Sequence, residues 1–286
     1  MTQWEDWIGR EVRTTDTITC SLLDRYNATV GVIKGAGDVH APLGMHWCLC
    51  VPSTSVSELG IDGHPKKGKF LPPIPLPRRM WASSFVEFLK PLRISDNVVR
   101  DSRIKSIKEK IGSTGVLVFV DVVHRTFVDN IECVRETQTL VYREKPSIQL
   151  ILPQDSGFAK LGEGVNSQIC PTTAHLFRYS ALTFNSHRIH YDAPYALQKE
   201  GYPALVVQGP FMASLMLQFA STVLGAENIR QFSFRGHAPA YCDQELHLKM
   251  NKSGAETAWL IHGADGRKVM SGNINTRPNL SGLDLQ

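Results

Sequence analysis

Residues 209–224 read GPFMASLMLQFASTVL. Glycine followed by proline sets Pro210 at the start of a helix, where its missing N–H costs nothing. From there apolar side chains fall on nearly every face, and only Ser214, Gln218, Ser221 and Thr222 interrupt them. A surface helix carries one apolar stripe, whereas one apolar all round must be buried. The stretch is too short to cross a bilayer. Something in the same chain has to wrap it.

The wrapper follows directly. QFSFRGHAPAYC (231–242), DQELHLKMN (243–251), TAWLIHGAD (257–265) and RKVMSGNI (267–274) read as successive strands with Gly, Asn or Asp turns between them. A helix enclosed by an antiparallel sheet predicts an α+β fold of the hotdog type. Upstream, GVLVFVDVVHRT (115–126) and IECVRETQTLVYR (131–143) read as adjacent strands around a VDN turn. Residues 17–30 read as a strand running into a short helix, followed by the glycine-rich GVIKGAG (31–37). HWCLCVPS (46–53) reads as a short buried strand. IDGHPKKGKFLPPIPLPRRMW (61–81), with four prolines between Pro72 and Pro77, predicts a long loop or arm that either links elements or covers a cleft. A further loop is expected from Pro146 to Pro171.

Length and composition bound the rest. At 286 residues two domains are the leading expectation. A chain 42% hydrophobic and 20% charged is too apolar for disorder. With a mean hydropathy of −0.15 and no long apolar run, an integral membrane protein is not expected. The opening MTQWEDWIGREVR lacks the basic flank and apolar stretch of a secretory signal, so a cytoplasmic protein is expected. Thirty-one Lys and Arg against 27 Asp and Glu give +4, too weak and scattered for a nucleic-acid footprint. Local clusters at Lys66, Lys67, Lys69, Arg78 and Arg79, and from Arg100 to Lys110, read as solvated lysine-rich loops. The sharper alternative is that one of them meets the phosphates of coenzyme A. Six cysteines, only Cys48 and Cys50 close together, make no disulfide framework and no zinc knuckle. Neither a metal nor a cofactor is expected.

Chemistry concentrates in LFRYSALTFNSHRIHYDAPYA (176–196). Asn185, His187, His190 and Asp192 fall within eight positions, beside Tyr179 and Tyr191. Polar groups caught between an apolar run and a buried helix need partners. Taken singly, His187 reads as structural and Arg188 as a surface cation. Asn185, His190 and Asp192 together combine an amide, a base of near-neutral pKa and a carboxylate.

YSALTFNSHRIHYD (179–192), YPALVVQGPF (202–211) and the helix that follows resemble the MaoC-type hydratases and dehydratases, in particular their double-hotdog branch. PLPRRMWASS (75–84) and LVFVDVVHRTF (117–127) resemble the degenerate first hotdog of that branch. The resemblance implies a degenerate N-terminal hotdog over 1–145, a linker over 146–175 and a catalytic hotdog over 176–286. It implies a hydro-lyase acting on a coenzyme A thioester, without nucleic acid or membrane, as a possible homodimer. Length and composition fit best the bacterial members that hydrate itaconyl-CoA or mesaconyl-CoA to citramalyl-CoA. The alternatives are a 3-hydroxyacyl-thioester dehydratase of fatty-acid synthesis and a non-catalytic acyl-CoA-binding hotdog. A hotdog thioesterase fits less well, because residues 210–224 contain no carboxylate.

The family's common motif is GDxNPxH, with Asp and His as the catalytic pair. Aligned on His190, the Asp position holds Asn185 and the Gly position Phe184. An amide cannot take a proton at neutral pH, so Asn185 is expected to orient water or the carbonyl. His190 is then the general base, and Asp192 its orienting partner or a helix cap. The N–H at Gly209, with a helix dipole behind it, is the expected oxyanion donor. Tyr179 and Gln208 are expected near the substrate. Arg178, Arg188 and Arg235 are the candidate cations for a second carboxylate on the acyl group.

Overall fold

The computed structural model describes residues 3–32, 39–112, 115–145, 150–154, 164–253 and 256–277. Most of the glycine-rich 31–37 stretch and half of the loop expected from Pro146 to Pro171 lie outside the described residues; in the described half, Val165–Ile169 is a strand and not a loop. Ten strands form one antiparallel sheet: β1 (Glu11–Thr17), β2 (Arg78–Phe88), β3 (Asn97–Gly112), β4 (Gly115–Val128), β5 (Ile131–Arg143), β6 (Val165–Ile169), β7 (Ile229–Gly236), β8 (Leu246–Ser253), β9 (Glu256–Gly263) and β10 (Lys268–Thr276). Their order is β1-β3-β4-β5-β2-β7-β10-β9-β8-β6. The strands of residues 11–143 thus occupy one side of the sheet and those of residues 165–276 the other. The seam is β2 against β7, from Ser83↔Arg235 to Glu87↔Gln231.

Among the described residues four α-helices accompany the sheet: α1 (Cys20–Val30), α2 (Thr173–Leu182), α3 (Ala193–Gln198) and α4 (Gly209–Leu224). The apolar helix is α4, with Phe211, Ala213, Met216, Leu217 and Ala220 at 0% exposure. It shares one core with Leu23 and Tyr26 of α1 and with Val86, Phe232, Phe234 and Trp259 of the sheet. Helix α1 starts on Thr19, whose hydroxyl accepts from the Leu22 N–H at 3.1 Å, and stops at Gly31 with φ 77°. No helix among the described residues is long and apolar enough to cross a membrane.

The strands expected around α4 are β7 to β10, and β4 and β5 meet at Asp129 and Asn130, both with positive φ as a two-residue hairpin requires. Two further expectations are corrected. The Arg100–Lys110 stretch is not a loop: it lies in β3, where exposed and buried positions largely alternate and Ser102, Ile104 and Ile107 are buried while neighbouring cations face solvent. HWCLCVPS is buried only through Cys50 and is no strand. Met45–Cys48 is a short 3-10 turn entered at Gly44, φ 90°, and left at Cys50, φ 52°. Its backbone is satisfied by side chains instead of a neighbouring strand: Cys50 N–H donates to Asp16 at 2.7 Å, and the Arg100 guanidinium donates to the Cys50 carbonyl.

The proline arm is irregular through Pro77, after which β2 takes over. It covers a second core. Ile74 and Leu76 pack with Ile104, Val118, Val120, Val122 and Tyr142 on the N-terminal part of the sheet. Lys67 pins the arm by donating to the Ile74 and Leu76 carbonyls at 2.6 and 2.9 Å.

Candidate active site

The chain leaves α2 through Thr183 and a tight turn at Phe184, φ 48°. Asn185 Oδ1 then accepts the His187 N–H at 3.1 Å, a local turn that fixes the start of the polar segment. His190 follows in a short 3-10 turn and is 7% exposed. Its Nδ1 donates to the Val206 carbonyl at 2.7 Å, and Val206 N–H donates back to the Ile189 carbonyl at 3.0 Å. With the proton held on Nδ1, Nε2 carries the lone pair. Burial pushes the His190 pKa down to about 4, against the raising effect of the Val206 bond, so the ring is neutral near pH 7.

Three residues after Val206 the chain enters α4. Its first turn has no side-chain cap, and Pro210 lies in that turn. The helix N-terminus is therefore a ready donor site for an anionic oxygen. Gly209 has no structural need to be glycine: a Cβ there would meet only the Met270 Cε, at 3.9 Å. Gln208, the N-cap, is 1% exposed and donates through Nε2 to the Leu176 carbonyl and the Ser180 hydroxyl at 2.8 and 3.0 Å. Its amide staples α4 to α2; its Oε1 has no hydrogen-bond partner.

Asp192 stands apart from the imidazole it was expected to orient. One oxygen accepts the Tyr195 N–H at 3.0 Å, capping α3. The other accepts from Arg188 Nε and Nη2 at 2.9 and 2.8 Å. The cap alternative describes this geometry, and the partner of His190 Nδ1 is a backbone carbonyl. Tyr179 is fully buried, its hydroxyl 3.1 Å from Ser214 Oγ and its pKa pushed up by burial. The substrate contact expected of it gives way to a place in the core.

The three candidate cations separate as well. Arg188, besides Asp192, donates to the Ile61 carbonyl at 3.1 Å and lies over the Tyr195 ring at 4.1 Å. It is a clasp between segments. Arg235 alternates along β7 with the inward Phe232 and Phe234, so strand geometry points it to the sheet face away from α4. There it lines a groove of about 630 Å³ with Lys249 and Lys268. Arg178 is exposed on α2.

Residues not singled out from the sequence join His187 and His190. The start of the proline arm is welded to the polar segment: Ser186 Oγ donates to the Gly63 carbonyl at 2.5 Å, and Arg188 N–H donates to the Asp62 carbonyl at 2.9 Å. Gly63, φ +86°, is obligatory here, since a Cβ would fall 1.9 Å from the Ser186 carbonyl oxygen. The weld brings His64 against His187, ring centroids 4.0 Å apart, and His187 stands edge-on to His190 at 5.3 Å. Asp62 accepts from His64 Nδ1 at 2.8 Å. Asp62, His64 and His187 offer donor atoms within 4.8 Å of one another, close enough to hold a metal ion, but the Asp62–His64 bond already engages two of them.

Charge in the cluster is one-sided. Burial and the neighbouring Arg79 lower the His64 pKa, with Asp62 pulling it back up. His187 is also lowered, by burial first and then by His64, His190 and the arginines Arg79 and Arg78. Arg79 is half-buried on β2 and pairs across the sheet with Tyr142 of the second core. Its neighbour Arg78 is buried and spent on Glu200 at 3.0 Å. The sequence held a weak sign of this arrangement, a long arm able to cover a cleft. Pairing Asp62 and His64 with residues more than a hundred positions away was not readable from it.

The chain as a whole is similar to known proteins. The family of type 2 hydroxyacyl-thioester dehydratases matches residues 44–242. The mesaconyl-C(4)-CoA hydratase of Chloroflexus aurantiacus is 37% identical over 273 residues, spanning 95% of this chain and 97% of that protein. Among solved structures, HtdX of Mycobacterium tuberculosis superposes with a TM-score of 0.69 at 18% identity, covering 94% of this chain and all of that one. A second M. tuberculosis protein, described as a double hotdog, gives 0.61 at 10% identity over 94% and 96% of the two chains. The ten-stranded sheet with its buried α4 is a double hotdog.

Proposed function

The chain belongs to the type 2 hydroxyacyl-thioester dehydratase family, and from that premise we propose that it adds water reversibly across the double bond of a short branched enoyl-CoA, taking itaconyl-CoA or mesaconyl-CoA to citramalyl-CoA. Its activity class is that of a hydro-lyase on acyl thioesters. The observation that carries the chemical reading is the neutral His190 imidazole, its Nε2 left as a base and its Nδ1–H spent on the carbonyl of Val206, which stands three residues before the uncapped start of α4.

Hydration of an α,β-unsaturated thioester needs a proton taken from water and a home for negative charge on the thioester oxygen. His190 Nε2 takes the water proton as the oxygen bonds to Cβ. The π pair moves through Cα onto the thioester oxygen, where the first N–H of α4 and its dipole hold the enolate. The same imidazole then returns the proton to Cα, and the carbonyl re-forms. Acid–base help of this kind is worth roughly 10² to 10⁴ in rate. The Asn185 NH₂, left over from its turn, holds the water or the carbonyl.

Charge separates the candidate substrate classes. A dicarboxylyl acyl group brings a free carboxylate that needs a cation. Arg79 suits it: a half-buried guanidinium whose charge acts on Asp62, His64 and His187. A long apolar acyl chain would gain nothing from it. Dehydration of 3-hydroxyacyl groups in fatty-acid synthesis is the reverse reaction on such a chain, and the cation weighs against it. The test is turnover of mesaconyl-CoA, itaconyl-CoA and crotonyl-CoA by the purified protein. The expected result is hydration with the dicarboxylyl substrates strongly preferred. Equal turnover of crotonyl-CoA contradicts the preference, and no turnover of any of them contradicts the hydratase reading.

A further inference from the structure

In the GDxNPxH motif of the MaoC-type hydratases that this chain resembles, an Asp and a His form the catalytic pair, and here the Asp position is held by Asn185, whose amide oxygen is already folded into a turn. The structure contains a carboxylate–imidazole pair nearby that comes from the other half of the chain. His64 Nδ1 donates to Asp62 at 2.8 Å, which leaves the lone pair on Nε2. The His64 ring lies against His187, tilted by 35° with centroids 4.0 Å apart, and His187 in turn stands edge-on to His190 at 5.3 Å. His64 is 19% exposed at its side chain, so it is sheltered without being sealed. Its place is over-determined: Asp62 also accepts the His64 N–H at 3.1 Å, and the Gly63, Asp62 and Ile61 carbonyls are all bonded to the segment that carries His190. Such bracing exceeds what a cleft-covering arm needs. It resembles the fixing of an imidazole by a carboxylate behind it, which sets tautomer and ring direction.

We propose that His64, oriented by Asp62, is a second catalytic residue of the hydratase site and holds the attacking water together with His190. The inference rests on the hydratase reading above. One water donates one hydrogen to His190 Nε2 and the other to His64 Nε2, which aims the oxygen lone pair at Cβ. His190 takes its hydrogen as a proton when the C–O bond forms, and that proton ends on Cα. The second hydrogen remains on oxygen as the product hydroxyl, so both imidazoles finish neutral and no other reactant is needed. The Asp62 carboxylate replaces, one residue removed, the acceptor that position 185 lacks. A site of this kind is shared between the two halves of the chain.

The experiment compares His64→Ala, His64→Gln and Asp62→Asn with the wild type, using whichever enoyl-CoA the wild type hydrates best, with melting temperatures alongside. His64→Ala is expected to lose roughly 10² in kcat with KM changed by no more than about threefold, the signature of an interaction made in the transition state. His64→Gln keeps an acceptor of similar reach and is expected to recover about tenfold of that loss. Asp62→Asn should fall between His64→Ala and the wild type. A His64→Ala enzyme within about threefold of wild-type kcat overturns the inference. So does a loss that His64→Gln does not relieve and that follows the melting temperature, since that is the mark of a merely structural arm. Activity in the wild type that survives His64→Ala removes this inference alone; a wild type that hydrates no enoyl thioester removes the hydratase reading and this inference with it.

Discussion

At the scale of single residues, His190 is kept a base by what surrounds it: a carbonyl behind Nδ1, burial all round and, among the described residues, no carboxylate bonded to its ring. Asp192, two positions on, spends its charge on Arg188 and its other oxygen on the cap of α3. Composition alone offers an amide, a base and a carboxylate in one stretch; only the backbone path shows that the carboxylate turns away from the base. Arg79 carries the residue-scale prediction. Arg79→Gln should lower kcat/KM for mesaconyl-CoA by roughly 10², mainly through KM, and leave crotonyl-CoA within about threefold, because a lost charge-assisted contact to a sheltered carboxylate costs on the order of 2–3 kcal/mol. Parallel losses on both substrates would show that Arg79 supports the fold rather than reading the acyl group.

At the scale of elements, α4 was the most legible part of the sequence, because a helix apolar on every face has one solution, burial. Strands β7 to β10 and the β4–β5 hairpin were legible for the same kind of reason: runs of β-forming residues bounded by turn residues. The 45–50 segment was not. Its apolar run looks like a strand, yet Gly44 and Cys50 turn the backbone into the left-handed region and distant side chains take its hydrogen bonds. Strand β3 was hidden by its lysines, which read as a solvated loop until its alternation is seen against β4. Gly209 separates fold from chemistry most cleanly. Gly209→Ala adds a Cβ in ordinary contact with Met270, so the melting temperature should hold or rise. A methyl at the helix start would stand where the thioester oxygen has to approach, and kcat should fall by roughly 10-fold or more. Full activity in that variant would remove the N-terminus of α4 from the site.

At the scale of the whole molecule, one sheet joins the two halves, and the candidate site takes His64 from one and His190 from the other. Length foretold two domains and the second half's strand pattern one hotdog; the other hotdog came from the resemblance, and the sharing was not foreseeable, because it depends on contacts across more than a hundred residues. Burial on this scale also sets the response to acid. His46 and His124 are pushed down to about 3, by burial first and then by the charge of Arg100, and His190 to about 4. Unfolding returns each to about 6.5, so the unfolded chain binds more protons between those values. Stability is therefore complete above pH 6.5 and is lost as pH falls through that window, by about 1.4 kcal/mol per pH unit for each such histidine. Glu136, whose pKa is raised by burial, pulls the other way, while His64 and His187, also lowered by burial, add to the side of the histidines. The urea midpoint should drop clearly between pH 7 and pH 5; a midpoint that holds or rises would mean these imidazoles are not buried neutral.

The central claim, that His190 is the acid–base residue of an enoyl-thioester hydratase, is tested most directly by the steady-state hydration rate of His190→Ala beside the wild type on the preferred enoyl-CoA. The account predicts a kcat at least about 10² lower in a variant that melts at the wild-type temperature. A variant that hydrates within about threefold of the wild type would contradict it.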